Sequence, residues 1–160
     1  MVDYRIRPVI DEDKEWITNF LTERWGSPII ITRGKIHHGN QLSGFVAEDK
    51  NEKIGLITYD IENEKCEITS LDSLIENIGV GSNLIEKLKT KASSSGCEKL
   101  WLVTTNDNRK AIRFNQKRGF NLVAVYPDAV EKSRKLKPEI PLIGYDGIKI
   151  KDEIVLEMKI

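Results

Sequence analysis

Ile78-Gly79-Val80-Gly81-Ser82-Asn83 is the segment that decides the fold of this chain, because two glycines stand directly before a helical pattern. The apolar residues of that pattern recur at the spacing of one helix face: Val80, Leu84, Leu88 and Ala92. Glycines let the backbone approach a ligand closely, and the first amides of a helix have no partner within it. The turn therefore predicts a helix N-terminus that binds an anion such as phosphate.

The same turn lacks the features of other nucleotide-binding loops. No Lys followed by Ser or Thr ends it, as a P-loop requires, and no third glycine or downstream ribose-binding acid completes a dinucleotide motif. ATP and NAD are therefore poor candidates for the anion. A packing role for Gly79 and Gly81 is the alternative interpretation of the turn.

Strands and helices extend from the turn in both directions. Upstream, we expect strands over residues 4–8, 44–48, 53–61 and 65–74 and a helix after Asp11. Downstream, we expect helices over residues 80–92, 108–118 and 129–136 and strands over residues 99–105, 120–126 and 153–159. Residues 25–40 contain several Gly and Pro residues, and we assign them no regular element. The order predicts a mixed α/β fold with one β-α-β crossover.

The composition fits one domain spanning residues 1–160, with 39% hydrophobic and 31% charged residues. Because 25 Lys and Arg balance 25 Asp and Glu, no overall basic field attracts nucleic acid or an anionic membrane. The sequence has no apolar run near the ~18–20 residues of a membrane span and no signal-peptide pattern. Cys66 and Cys97 form no CxxC motif. We therefore expect a cytoplasmic protein.

A second polar pattern follows residues 99–105. Asn108, Ala111 and Asn115 fall on one face of the predicted helix, which ends at Lys117-Arg118-Gly119-Phe120. Two amides around a small residue suit a thin, extended ligand, although Asn108 is also an ordinary helix N-cap. Both interpretations, a ligand-lining face and a capped helix, fit the pattern.

Together, residues 74–120 resemble the core of GNAT-type N-acetyltransferases. The resemblance is carried by Gly79-x-Gly81, the helix with Leu84 and Leu88, Gly96, the Leu-Trp-Leu-Val strand, Asn108-x-x-Ala111 and Lys117-Arg118-Gly119-Phe120. It implies an α/β mixed sheet of six or seven strands, splayed between two parallel strands and flanked by about four helices. It also implies acetyl-coenzyme A as cosubstrate, no metal, and a small-molecule or peptide amine as acceptor.

The resemblance further implies where acetyl-coenzyme A binds. Amides of the glycine turn would hold the pyrophosphate, and pantetheine would lie between the strands at residues 65–74 and 99–105, with a β-bulge near residues 70–73. The implied cofactor-binding residues are Leu74, Ile78, Gly79, Val80, Gly81, Ser82, Asn83, Asn108, Ala111 and Phe114. Trp25 and Arg33 would lie in the loop that covers the acceptor and bind this substrate.

Two positions depart from the family pattern. Glu76 stands where the family commonly has Gln or Arg, which places an acid near the expected pyrophosphate. Asn115 stands where many members have a Tyr that assists the leaving thiolate, and an amide donates a hydrogen bond but no proton at pH 7. Either the thiolate leaves with help from Asn115 as the catalytic group and from water, or another group such as Tyr126 serves it, or acetyl transfer is slow.

Transfer to an amine also needs a base, because a primary amine with a pKa of ~10 is mostly protonated at pH 7. Glu67 and Asp72 on the central strands are the candidate catalytic bases, and solvated strand faces are the plain alternative. His37-His38 predicts loop surface, since adjacent residues do not converge on one metal ion.

We therefore expect an N-acetyltransferase that acts by direct attack in a ternary complex, with a homodimer as one option for its assembly. A non-catalytic acyl-coenzyme A binding or sensing module is the alternative, because Asn115 replaces the expected Tyr.

Overall fold

The structure, a computed structural model, describes residues 3–160 and contains nine strands and four α-helices in that range. The strands are β1 (Arg5–Pro8), β2 (Ile29–Thr32), β3 (Lys35–His38), β4 (Ser43–Asp49), β5 (Glu52–Glu62), β6 (Lys65–Ser73), β7 (Lys99–Thr105), β8 (Asn121–Tyr126) and β9 (Glu153–Lys159). The helices are α1 (Lys14–Trp25), α2 (Val80–Ser94), α3 (Arg109–Lys117) and α4 (Ala129–Leu136).

Seven strands form the main sheet in the order β1-β4-β5-β6-β7-β9-β8. β6 and β7 are parallel, as a β-α-β crossover through α2 requires, and the other neighbours are antiparallel. The expectation of a mixed sheet of six or seven strands with about four helices is confirmed. None of the helices in residues 3–160 is long and apolar enough to cross a membrane.

The two faces of the main sheet carry different helices. α2 buries Leu84 and Leu88 in the larger core together with Ile57 and Leu156 of the sheet. α1 buries its own apolar face, including Leu21, in a second core on the other side. Since neighbouring strand residues point to opposite faces, β5 and β6 present one row of side chains to each helix.

The structure corrects the expectation that residues 25–40 contain no regular element. β2 and β3 form a separate two-stranded hairpin in which Ile31 lies opposite Ile36. Arg33 and Gly34 have φ values of 48° and 80°, the left-handed backbone of a tight two-residue turn. His37 lies in β3 and is buried, so the expectation that His37 is loop surface is wrong.

Charged contacts fix the hairpin across the sheet face that also carries α1. Lys35 donates to Asp60 and to Glu62 of β5 over 2.6 and 2.8 Å. Arg33 donates to Glu153 of β9 over 2.9 Å. These contacts come from both halves of the main sheet, so the hairpin spans β5 to β9.

A buried ion pair joins β1 to the start of α1. Arg7 donates from its two terminal nitrogens to both oxygens of Asp13, at 2.8 and 2.9 Å. Asp13 is 1% exposed and also accepts from the amide of Ile10. The hydrogen bonds from Arg7 lower the pKa of Asp13, with a smaller opposing effect from burial.

Candidate active site

β6 and β7 are paired over only four residues. The last pair joins Ile68 to Leu102. Beyond it, residues 69–73 of β6 and residues 103–105 of β7 continue as strands without pairing with each other. We call this gap the split. Strands that separate in this way leave backbone groups facing the gap, where an extended ligand can bind.

A β-bulge at Thr69 marks the beginning of the split. Tyr59 of β5 pairs with Ile68 and Thr58 pairs with Ser70, which leaves Thr69 as the extra residue. The bulge therefore lies one residue before the predicted segment. The hydroxyl of Thr58 contacts those of Thr69 and Ser70 at 2.7 and 2.6 Å, so three hydroxyl groups meet beside the opening.

The glycine turn lies at the beginning of α2, as the sequence predicts. Gly79 has a φ of 82°, a conformation that glycine adopts without strain. The first intrahelical bond runs from the amide of Asn83 to the carbonyl of Gly79, at 2.9 Å. The amides of the residues between Gly79 and Asn83 have no hydrogen-bond acceptor within the helix. They therefore face the N-terminal end of the helix. This end is a suitable anion site.

Other predicted cofactor-binding residues have clear structural roles around this turn. Val80 is buried in the larger core, and Ile78 packs against that core from the surface. Leu74 is exposed and donates its amide to Ile54 of β5 at 2.8 Å. The side chain of Asn83 donates to the hydroxyl of Tyr4 at 2.5 Å. The turn is therefore anchored to β5 and to the residue directly before β1.

α3 forms the second wall of the anion site. Asn108 caps this helix by accepting from the amide of Ala111 at 3.2 Å. Phe114 packs on Gly81, where an added Cβ would lie 3.0 Å from the ring. Gly81 therefore has a packing role as well as its place in the turn.

Sequence reasoning did not name Arg118 as a candidate site residue, although it lies beside the glycine turn. Its Nε donates to the hydroxyl of Ser82 at 2.7 Å, and another nitrogen donates to the carbonyl of Phe114 at 2.8 Å. The guanidinium also stacks on the Phe114 ring at 3.5 Å. The sequence does carry a signal for the contact between Arg118 and Phe114, since residues four positions apart lie on one helix face. This cation lies beside the first turn of α2.

Glu76, which departs from the family pattern, is paired with Lys110 of α3. Lys110 donates to Glu76 at 2.8 Å, and both side chains are exposed. The hydrogen bond from Lys110 lowers the pKa of Glu76. The acid next to the turn therefore has a cation beside it, which reduces its repulsion of a bound phosphate.

Asp72 is a buried carboxylate on the α1 face of β6. It is 8% exposed, and Arg24 of α1 lies 3.7 Å from its Oδ1. Burial raises the pKa of Asp72 to about 6, against an opposing effect from Arg24. A carboxylate with a pKa of this size accepts protons near neutral pH better than an ordinary Asp.

Glu67 lies on the same face, next to the hairpin. It is 3% exposed, and Nε2 of His37 lies 3.3 Å from its Oε1. Glu67 also lines a cavity of about 290 Å³ between the hairpin and the sheet, together with Thr32, Asp60 and Trp101. We call this space the hairpin cavity.

Asn115 is buried in α3 on the other face. Its Nδ2 donates to the carbonyl of Ala111 at 2.9 Å, one turn earlier. Its oxygen has no hydrogen-bond partner. The amide therefore presents an acceptor, and one of its two N–H donors is already used.

The three predicted catalytic residues share an unusual property. Among the side chains of residues 3–160, the buried polar atoms without a hydrogen-bond partner are Oε2 of Glu67, Oδ2 of Asp72 and Oδ1 of Asn115. Buried polar groups in folded proteins are nearly always paired, and an unpaired one costs about 1–3 kcal/mol. Unpaired acceptors of this kind suit a ligand that brings donors.

The predicted acceptor-binding residues are separated in the structure. Arg33 lines the hairpin cavity, but its guanidinium is bound to Glu153 and stacks on Tyr126 at 3.3 Å. Trp25 ends α1, is 45% exposed, and is not among the residues lining the cavity. Tyr126, the alternative thiolate partner, therefore lies on the Arg33 side of the sheet.

Comparisons with known proteins agree with this geometry. Residues 10–120 match the model of the acetyltransferase (GNAT) family. The chain is 47% identical over 143 residues to the uncharacterized protein YdhI of Bacillus subtilis (strain 168), with 89% of each chain covered. The chain belongs to the GNAT acetyltransferase family.

Solved structures share the fold over the whole length. An IAA acetyltransferase from Bacillus cereus ATCC 14579 aligns with a TM-score of 0.75 at 20% identity, covering 99% of this chain and 100% of that one. A GNAT family acetyltransferase from Elizabethkingia anophelis with acetyl-CoA bound aligns with a TM-score of 0.70 at 21% identity, covering 98% of both chains.

Proposed function

We propose that this protein transfers an acetyl group from acetyl-coenzyme A to the amine of a small molecule or peptide, by direct attack in a ternary complex. The observation that carries the proposal is the split, together with the unpaired buried oxygens of Glu67 and Asp72 on β6 and of Asn115 on α3. Membership of the acetyltransferase family and the acetyl-CoA bound to the Elizabethkingia anophelis protein support it.

The residues around the split fit acetyl-coenzyme A. The free amides after Gly79 and the guanidinium of Arg118 offer donors and positive charge to a pyrophosphate. The backbone of β6 beyond Thr69 offers hydrogen bonds to an extended pantetheine arm. The residues that we propose bind acetyl-coenzyme A are Leu74, Ile78, Gly79, Val80, Gly81, Ser82, Asn83, Asn108, Ala111, Phe114 and Arg118. Acetyl-coenzyme A supplies the acyl group as an activated thioester.

Two carboxylates are available to take the proton from the acceptor amine. Asp72 has a pKa of about 6, which matches a proton acceptor at neutral pH. Glu67 lies next to the hairpin cavity, where an acceptor has room to bind. Both retain an unpaired oxygen for an ammonium group.

Asn115 acts through its amide without gaining or losing a proton. Its unpaired Oδ1 accepts from an N–H or S–H donor, and its second N–H remains for the leaving thiolate. A thiol with a reference pKa of ~8.5 leaves as thiolate with this assistance and water.

The test combines binding and turnover. Calorimetric titration with acetyl-coenzyme A measures affinity, and release of free thiol is followed with spermidine, L-lysine, tyramine and an alanine-initiated peptide. We expect binding and thiol release above hydrolysis with at least one amine. Tight binding without amine-dependent release would instead support the acyl-coenzyme A sensing module.

Asp72→Asn and Glu67→Gln then separate the two candidate bases. Each keeps the size of the side chain and removes its charge. Whichever of the two carboxylates is the base, its variant has a kcat about 10²–10⁴-fold lower than wild type, while its affinity for acetyl-coenzyme A is unchanged. Equal rates in both variants and wild type would contradict a carboxylate base.

A further inference from the structure

His37 is a buried histidine that the acetyl transfer described above does not use. It is 3% exposed, whereas its neighbour His38 faces solvent. Nε2 of His37 lies 2.9 Å from the hydroxyl of Thr32 and 3.3 Å from Oε1 of Glu67. The imidazole therefore connects the hairpin to β6 of the main sheet.

Glu67 occupies a special place in the sheet. Its Cα partner on β7 is Trp101, and the next pair along the two strands is the last one before the split. One oxygen of Glu67 contacts His37, while the other has no partner although the residue is 3% exposed. Glu67 thus lines the hairpin cavity and lies two residues before the split begins.

We propose that His37 is a positioning residue for Glu67: its imidazole holds Oε1, so that Oε2 receives the proton of an ammonium group entering the hairpin cavity. This inference rests on the proposed function, and it selects Glu67 over Asp72 as the base. The hairpin cavity becomes the acceptor site.

The proton step is simple. One N–H bond of the ammonium breaks, an O–H bond forms on Oε2 of Glu67, and the electron pair stays on nitrogen. The amine is then neutral and nucleophilic. A carboxylate with one oxygen in contact with a buried imidazole ring loses rotational freedom, so its second oxygen is presented in one orientation.

Other charged groups face His37 from the elements around it. Asp60 of β5 lies 3.9 Å from Nδ1 and is itself paired with Lys35 of the hairpin. Glu67 of β6 is the carboxylate on the Nε2 side. Asp60 already accepts a hydrogen bond from Lys35, whereas Glu67 has His37 as its ion-pair partner.

A double-mutant cycle tests the coupling, using the amine of the panel with the fastest transfer. Glu67→Gln lowers kcat by about 10²–10⁴-fold. His37→Leu lowers kcat by about 10-fold, since the ring contact that fixes Oε1 of Glu67 is lost, with the KM for acetyl-coenzyme A unchanged. His37→Leu adds no further loss when Glu67 is already Gln. Losses that multiply would overturn the inference.

Two further variants separate positioning from a general structural effect. His37→Gln keeps an N–H donor near the position of Nε2 and recovers most of the activity lost in His37→Leu. His38→Leu alters the adjacent exposed residue and leaves kcat unchanged. A His37→Gln variant as slow as His37→Leu, with the fold intact by circular dichroism, would contradict the positioning role.

Proton NMR tests the contact without acetyl-coenzyme A. A ring N–H of His37 held by Glu67 exchanges slowly and resonates downfield, and Glu67→Gln shifts that signal upfield. His38 provides the internal control. A signal unaffected by Glu67→Gln would overturn the inference alone, whereas a wild type that neither binds acetyl-coenzyme A nor releases thiol would overturn the proposed function.

Discussion

Nε of Arg118 donates a hydrogen bond to the hydroxyl of Ser82 over 2.7 Å, which joins the end of α3 to the first turn of α2. The same guanidinium stacks on Phe114, which packs against Gly81. The two helices that border the split are thus connected by one cation. The position of this cation leads to the first prediction.

Arg118→Ala lowers the affinity for acetyl-coenzyme A by about 10-fold, because a charge-assisted hydrogen bond to phosphate is lost. Isothermal titration calorimetry measures the change. Lys117→Ala is the matched control, since Lys117 is an exposed cation one residue away. Equal effects of the two substitutions would mean that Arg118 acts only through overall charge.

Gly79→Ala weakens acetyl-coenzyme A binding by about fivefold, equivalent to about 1 kcal/mol, because a Cβ strains the turn that aims the amides. Gly96→Ala is the control at the other end of α2. The φ values of Gly79 and Gly96 are 82° and 84°, so each substitution costs about 1 kcal/mol of folding stability. Thermal unfolding compares stability, and calorimetry compares affinity. Weakened binding in the Gly96 variant would contradict the role of the turn.

Asp72→Asn raises the free energy of unfolding at pH 8 and leaves it nearly unchanged at pH 4. Burial raises the pKa of Asp72 from 3.8 to about 6. A raised pKa means that the folded state binds the proton more tightly, so stability falls as pH rises from about 4 to about 6. The difference between these two pKa values corresponds to a loss of folding stability of at most about 3 kcal/mol once Asp72 is charged. Asn carries no charge and avoids this loss. Urea unfolding at both pH values measures it, and a variant less stable at pH 8 would refute the prediction.

Asp13→Asn lowers the free energy of unfolding by about 2 kcal/mol at pH 7, because the charged hydrogen bonds from Arg7 to the buried carboxylate are lost while Arg7 keeps its bond to Glu48. The pKa of Asp13 is lowered by the hydrogen bonds from Arg7. The contribution of Asp13 is therefore present above pH ~4 and is lost as pH falls through its lowered folded pKa. The loss of unfolding free energy caused by Asp13→Asn is therefore smaller in strong acid than at pH 7.

Asp11→Asn is the control for this prediction, because Asp11 is exposed and pairs only with Lys14 nearby. The free energy of unfolding of the Asp11→Asn variant stays within about 0.5 kcal/mol of the wild-type value. Denaturant unfolding at pH 7 and pH 3 compares the variants. An equal loss in both would show that burial of the Arg7–Asp13 pair has no special weight.

Elements with clear periodicity were predictable from the sequence, whereas the hairpin was not. Ile29, Ile30 and Ile31 are consecutive apolar residues and show no alternation. The contacts that hold the hairpin, such as Lys35 to Asp60, join positions 25 residues apart. Long-range charge pairs of this kind leave no local pattern, so the hairpin and the burial of His37 were missed.

The candidate site was predictable where it depends on local backbone. The turn at Gly79 and the cap at Asn108 follow from residue types and spacing. The contact of Arg118 with Ser82 spans 36 residues and depends on how α2 and α3 pack. The bulge was predicted one residue late, because register depends on pairing with β5 rather than on the β6 sequence alone.

The four-residue ladder between β6 and β7 has a mechanical consequence. It is the only pairing that joins the block of β1, β4, β5 and β6 to the block of β7, β8 and β9 in the main sheet of residues 3–160. The ladders on either side of it are longer, with eight residue pairs between β5 and β6 and seven between β7 and β9. A molecule that hydrogen-bonds to both edges of the opening therefore extends this short seam and stiffens the two blocks against each other.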